Sequence, residues 1–164
     1  MSRRRGWEFL IFHWSLPIQP GKNLSITDAY WLICNPIIAE LETMGVKASC
    51  SAVDGAFCDG DYNVVVAGKK LVGTAQRRSR IRGKPEQQAI LIHALLLFET
   101  DLELITAAVN RFADVLGAEE SFASSVHCNL VDVCSVDYPA PTPQQFSQRL
   151  LQRYQTELKR FNSG

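Results

Sequence analysis

The chain is expected to form an α+β fold, a mixed and mainly antiparallel sheet packed with helices. Three observations carry this expectation. Strand-like and helix-like segments follow one another without the regular βαβ alternation of a doubly wound sheet. Residues 63–76 read as a tight β-hairpin. The 164 residues are 46% hydrophobic and 21% charged, enough apolar material for one core and too little charge for a disordered chain.

The elements follow in order. Phe9 to Leu16 alternates as a strand, and Pro17, Pro20, Gly21 and Asn23 are expected to break it. Ser25 is an N-cap with Asp28 three residues on. Ile26, Tyr30, Ile33, Ile37, Ile38, Leu41 and Met44 then fall on one helical face. Pro36 is expected to kink that helix, and Gly45 to stop it. Val46 to Cys50 suits a short strand, followed by a loop rich in Asp and Gly. Asn63 to Ala67 is β-branched and apolar, Gly68 permits the reversal, and Lys70-Leu71-Val72 begins the return. Arg77 to Lys84 reads as a basic loop, and Gln88 to Phe98 as a strand. Thr100 is expected to cap a helix from Asp101 to Leu116, ended by Gly117. Leu130 to Cys134 has the pattern of a strand. Pro139, Pro141 and Pro143 enforce a linker, after which Thr142 and Pro143 open a last helix as N-cap and N1.

Composition excludes several classes. The formal net charge is zero, which argues against general nucleic-acid binding. The longest apolar run, Ala89 to Phe98, is too short to span a bilayer. The basic N-terminus lacks the apolar stretch and cleavage site of a secretion signal, so a cytoplasmic location is expected. Five cysteines at wide, irregular spacing do not make a disulfide framework. His127, Cys128 and Cys134 lack a fourth ligand at suitable spacing, so no metal is expected. There is no Walker A motif and no dinucleotide fingerprint.

One region carries chemistry. In Asn-Val-Val-Val-Ala-Gly-Lys-Lys-Leu-Val-Gly-Thr-Ala-Gln, residues 63–76, a lysine on the return strand is followed by small residues. Such residues let a ligand approach the backbone. A surface hairpin with solvated lysines is the plain alternative. Just upstream lies Phe57-Cys58-Asp59-Gly60-Asp61-Tyr62. Between Lys69 and Lys84 stand seven basic residues and no acid; such a run is ordinarily just solvated.

The hairpin resembles that of the biotin/lipoate A/B protein ligase family, whose pattern is Gly-(Arg/Lys)-Lys-(Ile/Leu/Val)-x-Gly-(Ser/Thr)-Ala. The flanks 16–46 and 88–112 are similar to the strand, loop and helix segments of that family, so the likeness covers roughly residues 9–115. It implies a partial catalytic domain of this family over residues 1–140, with a C-terminal helix over 141–164 packing on the same domain. Members carry an upstream region ending in Arg-Arg-x-(Ser/Thr)-Gly-Gly-Gly. Here Arg4, Arg5 and Gly6 stand as its remnant without the glycine triplet, so an N-terminal part is expected to be missing.

The resemblance implies roles. Lys70, rather than Lys69, would contact the activated acyl carbonyl. Cys58 matches the cysteine that carries the acyl group in the octanoyl-transferring branch; a lone cysteine is otherwise a buried, inert thiol, and Cys50 is the fallback. Asn63 would face the donor head group. Gly73, Thr74 and Ala75 would line the acyl slot. His93 would shape the pocket, although a histidine in an apolar strand is more often a core residue. Arg77, Arg78 and Arg80 would dock an acidic lipoyl-domain or glycine-cleavage H-type carrier protein. The implied activity is transfer of octanoyl or lipoyl groups to a lipoyl-domain lysine through a cysteine thioester, with no cofactor. ATP-dependent lipoate–protein ligation, needing ATP and Mg, is one alternative. A degenerate binding module for lipoyl domains is another.

Overall fold

The computed structural model describes residues 7–18 and 24–163. The break expected at Pro20, Gly21 and Asn23, and the Arg4-Arg5-Gly6 remnant, lie outside the described residues. Five strands form one antiparallel sheet: β1 (Trp7–Ile18), β2 (Ala48–Ser51), β3 (Asn63–Val66), β4 (Lys69–Ile81) and β5 (Lys84–Thr100), in the order β1-β5-β4-β3-β2. The helices are α1 (Ile26–Thr43), α2 (Leu102–Val115), α3 (Leu130–Val133) and α4 (Pro143–Ser163). This is the α+β class read from the sequence.

Side-chain alternation divides the sheet into two unlike faces. On one, Ile90, Ile92, Ala94 and Leu96 of β5 pack with Ile33, Ile37 and Leu41 of α1 and Phe146, Leu150 and Tyr154 of α4. Those residues form the main core. The carboxylate of Glu40 ties the two helices there, accepting a 2.6 Å bond from Arg153 Nε. On the other face Ile11 is 55% exposed and Leu91 39%, so an apolar sheet surface is left open.

The local chemistry explains most boundaries. Ser25 caps α1 by accepting from the Asp28 amide at 3.0 Å. The β3–β4 reversal uses Ala67 and Gly68, both at positive φ, the geometry of a two-residue hairpin turn. Thr142 and Gln145 cap α4 reciprocally, side chain to backbone in both directions.

Several expectations are corrected. Pro17 does not end β1 but pairs with Ala89 inside it; β1 is an edge strand, where a missing N–H is tolerated. Arg77 to Lys84 is not a loop. It is the far half of a long β4–β5 hairpin that reverses at Arg82-Gly83, with Gly83 at φ +80°, because residues 76–82 hold no Gly, Pro, Asn or Asp to break the strand earlier. Asp101, not Thr100, caps α2 by accepting from the Leu104 amide, while the Thr100 hydroxyl donates to the Glu8 carbonyl. Leu130 to Val133 is a short helix, not a strand. Asn129 fixes its start by bonding both the amide and the carbonyl of Thr100.

Candidate active site

A β-bulge decides where Lys70 points. In the β3–β4 pair Val64 faces Val72 and Val65 faces Lys70, so Leu71 is the extra residue. Val72 pairs with Leu96 on the helix-covered face. Plain alternation would send Lys70 to that same face; the bulge reverses it. Lys70 therefore joins Gly73 and Ala75 on the open face, where it is 2% exposed, while Lys69 is exposed.

There it borders a cavity of about 530 Å³. The wall is apolar, built from Ile11 of β1 and Leu91, Leu95 and Leu97 of β5. Polar groups are few: Lys70, Cys58, Thr74, His13 and His93. The two histidines face each other across β1 and β5, and His93 also faces Ala75. His93 is exposed on this face rather than buried in the core, because it falls on the odd-numbered side of β5.

Lys70 reaches the loop before β3. Its Nζ donates to the carbonyls of Phe57 and Cys58, both at 2.7 Å. An ammonium has three donors, so one remains for a ligand. Burial pushes Lys70 below the ordinary lysine range, opposed by the nearby Cys58 and Asp59. Gly73 makes room for it. A Cβ there would lie 3.2 Å from Lys70 Cε, so the small residue serves the lysine as much as any ligand.

Cys58 sits in the left-handed region at φ +50°, which is unfavourable for a residue with a Cβ and held only by its surroundings. Those surroundings are visible. Besides the Lys70 bond to its carbonyl, the next residue, Asp59, accepts from the Val53 amide at 2.9 Å and from Asn63 Nδ2 at 2.6 Å. Asn63 Nδ2 also donates to the Gly60 carbonyl. Asn63, expected to face a donor head group, thus turns inward, is 1% exposed and braces the cysteine loop. Thr74 Oγ1 donates to the Tyr62 carbonyl at the end of that loop.

The remaining predicted residues separate. Arg77 is exposed and pairs with the cavity residue Leu91. Arg78 and Arg80 alternate away from it or lie beyond it; Arg78 is half-buried and donates to Gln76. The three do not form one patch. Cys50 lies on β2 against the core and beside Cys34, outside the cavity wall.

Two residues at the site were not singled out for it from the sequence. Phe57 supplies a carbonyl to Lys70 and lines the cavity. His127 stacks on Phe57, ring centroids 4.1 Å apart and planes 18° apart. It arrives through an isolated parallel bridge to Lys70. No local pattern announces a partner 57 residues away.

The sequence profile of the lipoyl protein ligase A/B catalytic domain matches residues 11–155. The chain belongs to that family. An octanoyl-[GcvH]:protein N-octanoyltransferase of Kyrpidia tusciae is 30% identical over 105 residues, covering 62% of this chain and 36% of that protein. The enzyme of the same name from Oceanobacillus iheyensis is 38% identical over 64 residues, covering 39% of this chain and 23% of its own length. Among solved structures, a lipoate protein ligase candidate from T. acidophilum with bound lipoic acid superposes with a TM-score of 0.59 at 18% identity, over 96% of this chain and 57% of that one. The chain thus spans between about a quarter and three fifths of these relatives.

Membership raises the matter of ATP and Mg. Magnesium needs oxygen ligands, usually carboxylates with phosphates. The cavity offers one ammonium and two imidazoles and no carboxylate. Among the described residues no three His, Cys, Asp or Glu side chains are grouped to hold an ion. Among the described residues, the lining of this cavity therefore offers no carboxylate for a magnesium ion. No helix among the described residues is long and apolar enough to cross a membrane.

Proposed function

We propose that this chain carries the acyl-transfer centre of an enzyme that moves octanoyl or lipoyl groups onto a lysine of a lipoyl-domain or H-type carrier protein. The observation that supports it most is the joint placement of Cys58 and Lys70 on the wall of an apolar cavity of about 530 Å³. A medium-length acyl chain needs such a wall, and its carbonyl needs a nucleophile and a cation nearby.

The proposed reaction has two steps. Cys58 Sγ attacks the donor's acyl carbonyl, a C–S bond forms, the donor's bond to that carbon breaks, and the thiol proton leaves with the donor group. The acceptor lysine's amine then attacks the thioester, a C–N bond forms, the C–S bond breaks and the thiol is restored. In each step the free N–H of Lys70 stabilises the oxyanion in a water-poor site. Gly73, Thr74, Ala75 and His93 flank the acyl chain, and Asn63 acts indirectly by bracing the Cys58 loop. Of the basic side chains, Arg77 is best placed to meet a carrier approaching the open face.

The test is transfer itself. The protein is mixed with an octanoylated H-type carrier and an unmodified lipoyl domain, and the acceptor's mass is followed. A gain of one octanoyl group without ATP supports the reading. A gain only from free octanoate with ATP replaces it with the ligase reading, and binding of the lipoyl domain with neither reaction replaces it with the binding-module reading.

A further inference from the structure

We infer that His127 is a positioning residue for the acyl-transfer step: it holds Lys70 in place through Phe57, and it does so only as a neutral imidazole. The inference rests on the acyl-transfer reading above for its function, though not for its geometry.

Lys70 is gripped at both ends. Its Nζ bonds the carbonyls of Phe57 and Cys58. Its own carbonyl accepts from the Cys128 amide at 3.0 Å. The two gripping segments meet at the stack of His127 on Phe57, beside the packing of Val126 on Val53 and Ala56 and the bond from the Ala123 amide to the Gly55 carbonyl. The same phenyl ring lies 5.8 Å from Lys70 Nζ. Loss of the stack leaves the Phe57 carbonyl less firmly placed on Lys70 Nζ, although Asp59 and Asn63 still brace the Cys58 loop.

The protonation state follows from the hydrogen bonds. His127 is 2% exposed, and its Nδ1 lies 3.0 Å from the Ala123 carbonyl. A carbonyl can only accept, so Nδ1 carries the proton and Nε2 holds a lone pair. Nε2 is buried with no partner among the described residues. A second proton there would bury an unpaired cation facing the Lys70 ammonium. Burial accordingly pushes His127 below its ordinary range, and Lys70 pushes the same way against the Ala123 and Ser124 backbone bonds. The other charged groups around it are engaged or turned outward. Glu103 accepts from Ser124 Oγ, Asp132 accepts from Asn129, and Lys69 is exposed, while Cys128 faces the Lys69 carbonyl. Acid therefore works against the stack, and the acyl-transfer centre loosens as His127 takes up its proton.

The experiment reads Cys58 in two ways across pH 5–8, in wild type, His127→Phe and His127→Leu: alkylation by iodoacetamide, located by peptide mapping, and octanoyl-adduct formation from an octanoylated carrier. Near-ultraviolet circular dichroism verifies folding at each pH. His127→Phe keeps a flat ring but cannot titrate, so its rate relative to wild type should climb as pH falls. His127→Leu loses the stack that holds Phe57 on Lys70, and its Cys58 alkylation should drop by about fivefold or more at neutral pH, the size of one aromatic pair's contribution. A Phe-to-wild-type ratio flat across pH, or a folded His127→Leu that alkylates like wild type, overturns the inference. Alkylation that follows this pattern with no octanoyl adduct in any variant upholds the positioning and rejects the acyl-transfer reading alone.

Discussion

Lys70 is a cation placed where water is scarce, and its worth depends on that placement. Two of its three donors are held by backbone carbonyls, which fix the third without reorganisation. Lys70→Ala is expected to slow acyl transfer by about 10²–10³-fold, the size of losing one oxyanion donor, with single-turnover mass spectrometry as the readout. Because burial depresses Lys70, the reaction should also decline as pH rises, at a pH lower than the ordinary lysine value of 10.5. The sign follows from the proton: raising the pH neutralises the ammonium, and only the ammonium stabilises an oxyanion. Gly73→Ala should slow transfer less than Lys70→Ala does, since the new Cβ meets Lys70 Cε at 3.2 Å and the flexible lysine must shift to make room. A crystal structure of that variant with Lys70 unmoved contradicts the steric account.

At the scale of elements, the long β4–β5 hairpin is the part most changed by folding. Read linearly, Arg77, Arg78 and Arg80 look like one basic loop. Paired as strands, they present different sides. An acidic carrier approaching the open face should feel Arg77 most. Arg77→Glu is expected to slow association at low salt more than Arg80→Glu does, and the difference should shrink as ionic strength rises. Stopped-flow binding measures this; equal effects of the two reversals at low salt reject a preferred face. A second element-level contact joins α1 and α4. Glu40 is 2% exposed, and removing Arg153 leaves its carboxylate short of a charge partner. Arg149 remains 3.7 Å away and Arg153 is itself partly exposed. Arg153→Ala should therefore cost about 2 kcal/mol, less than a fully buried pair, read from urea unfolding.

Over the whole molecule, the sequence reveals periodicity and hides pairing. β1, β3, the part of β5 after Gln88, α1 and the start of α4 follow from alternation, caps and prolines that act within a few residues. The α+β class and the family likeness were legible for that reason, and the hairpin motif drew attention to Lys70. What remained hidden depends on contacts across the chain. The Leu71 bulge is set by packing Leu71 and Val72 both at 0% exposure, which no pattern of apolar letters distinguishes from plain alternation. Asn63 looks like a ligand-facing residue until Asp59 folds back to it. His127, in sequence only one of three would-be metal ligands short of a fourth, gains a place when the Lys70 bridge brings it to Phe57.

The buried imidazole also marks global stability. His127 has its ordinary value of 6.5 when unfolded and a lowered one when folded. Its contribution is present above pH 6.5 and is lost as pH falls toward the folded value, because the unfolded chain binds the proton first. Thermal melts from pH 7.5 to 5 should fall less steeply for His127→Phe than for wild type.

In the proposed reaction Cys58 receives the acyl group beside Lys70. Its most direct test is the location of the adduct. The protein is exposed to an octanoylated carrier, digested and mapped by tandem mass spectrometry with and without hydroxylamine. The account predicts a hydroxylamine-labile octanoyl group on Cys58, absent from Cys58→Ser and retained in Cys50→Ser and Cys34→Ser. An adduct that survives in Cys58→Ser, or that sits on another cysteine in the wild-type protein, contradicts it.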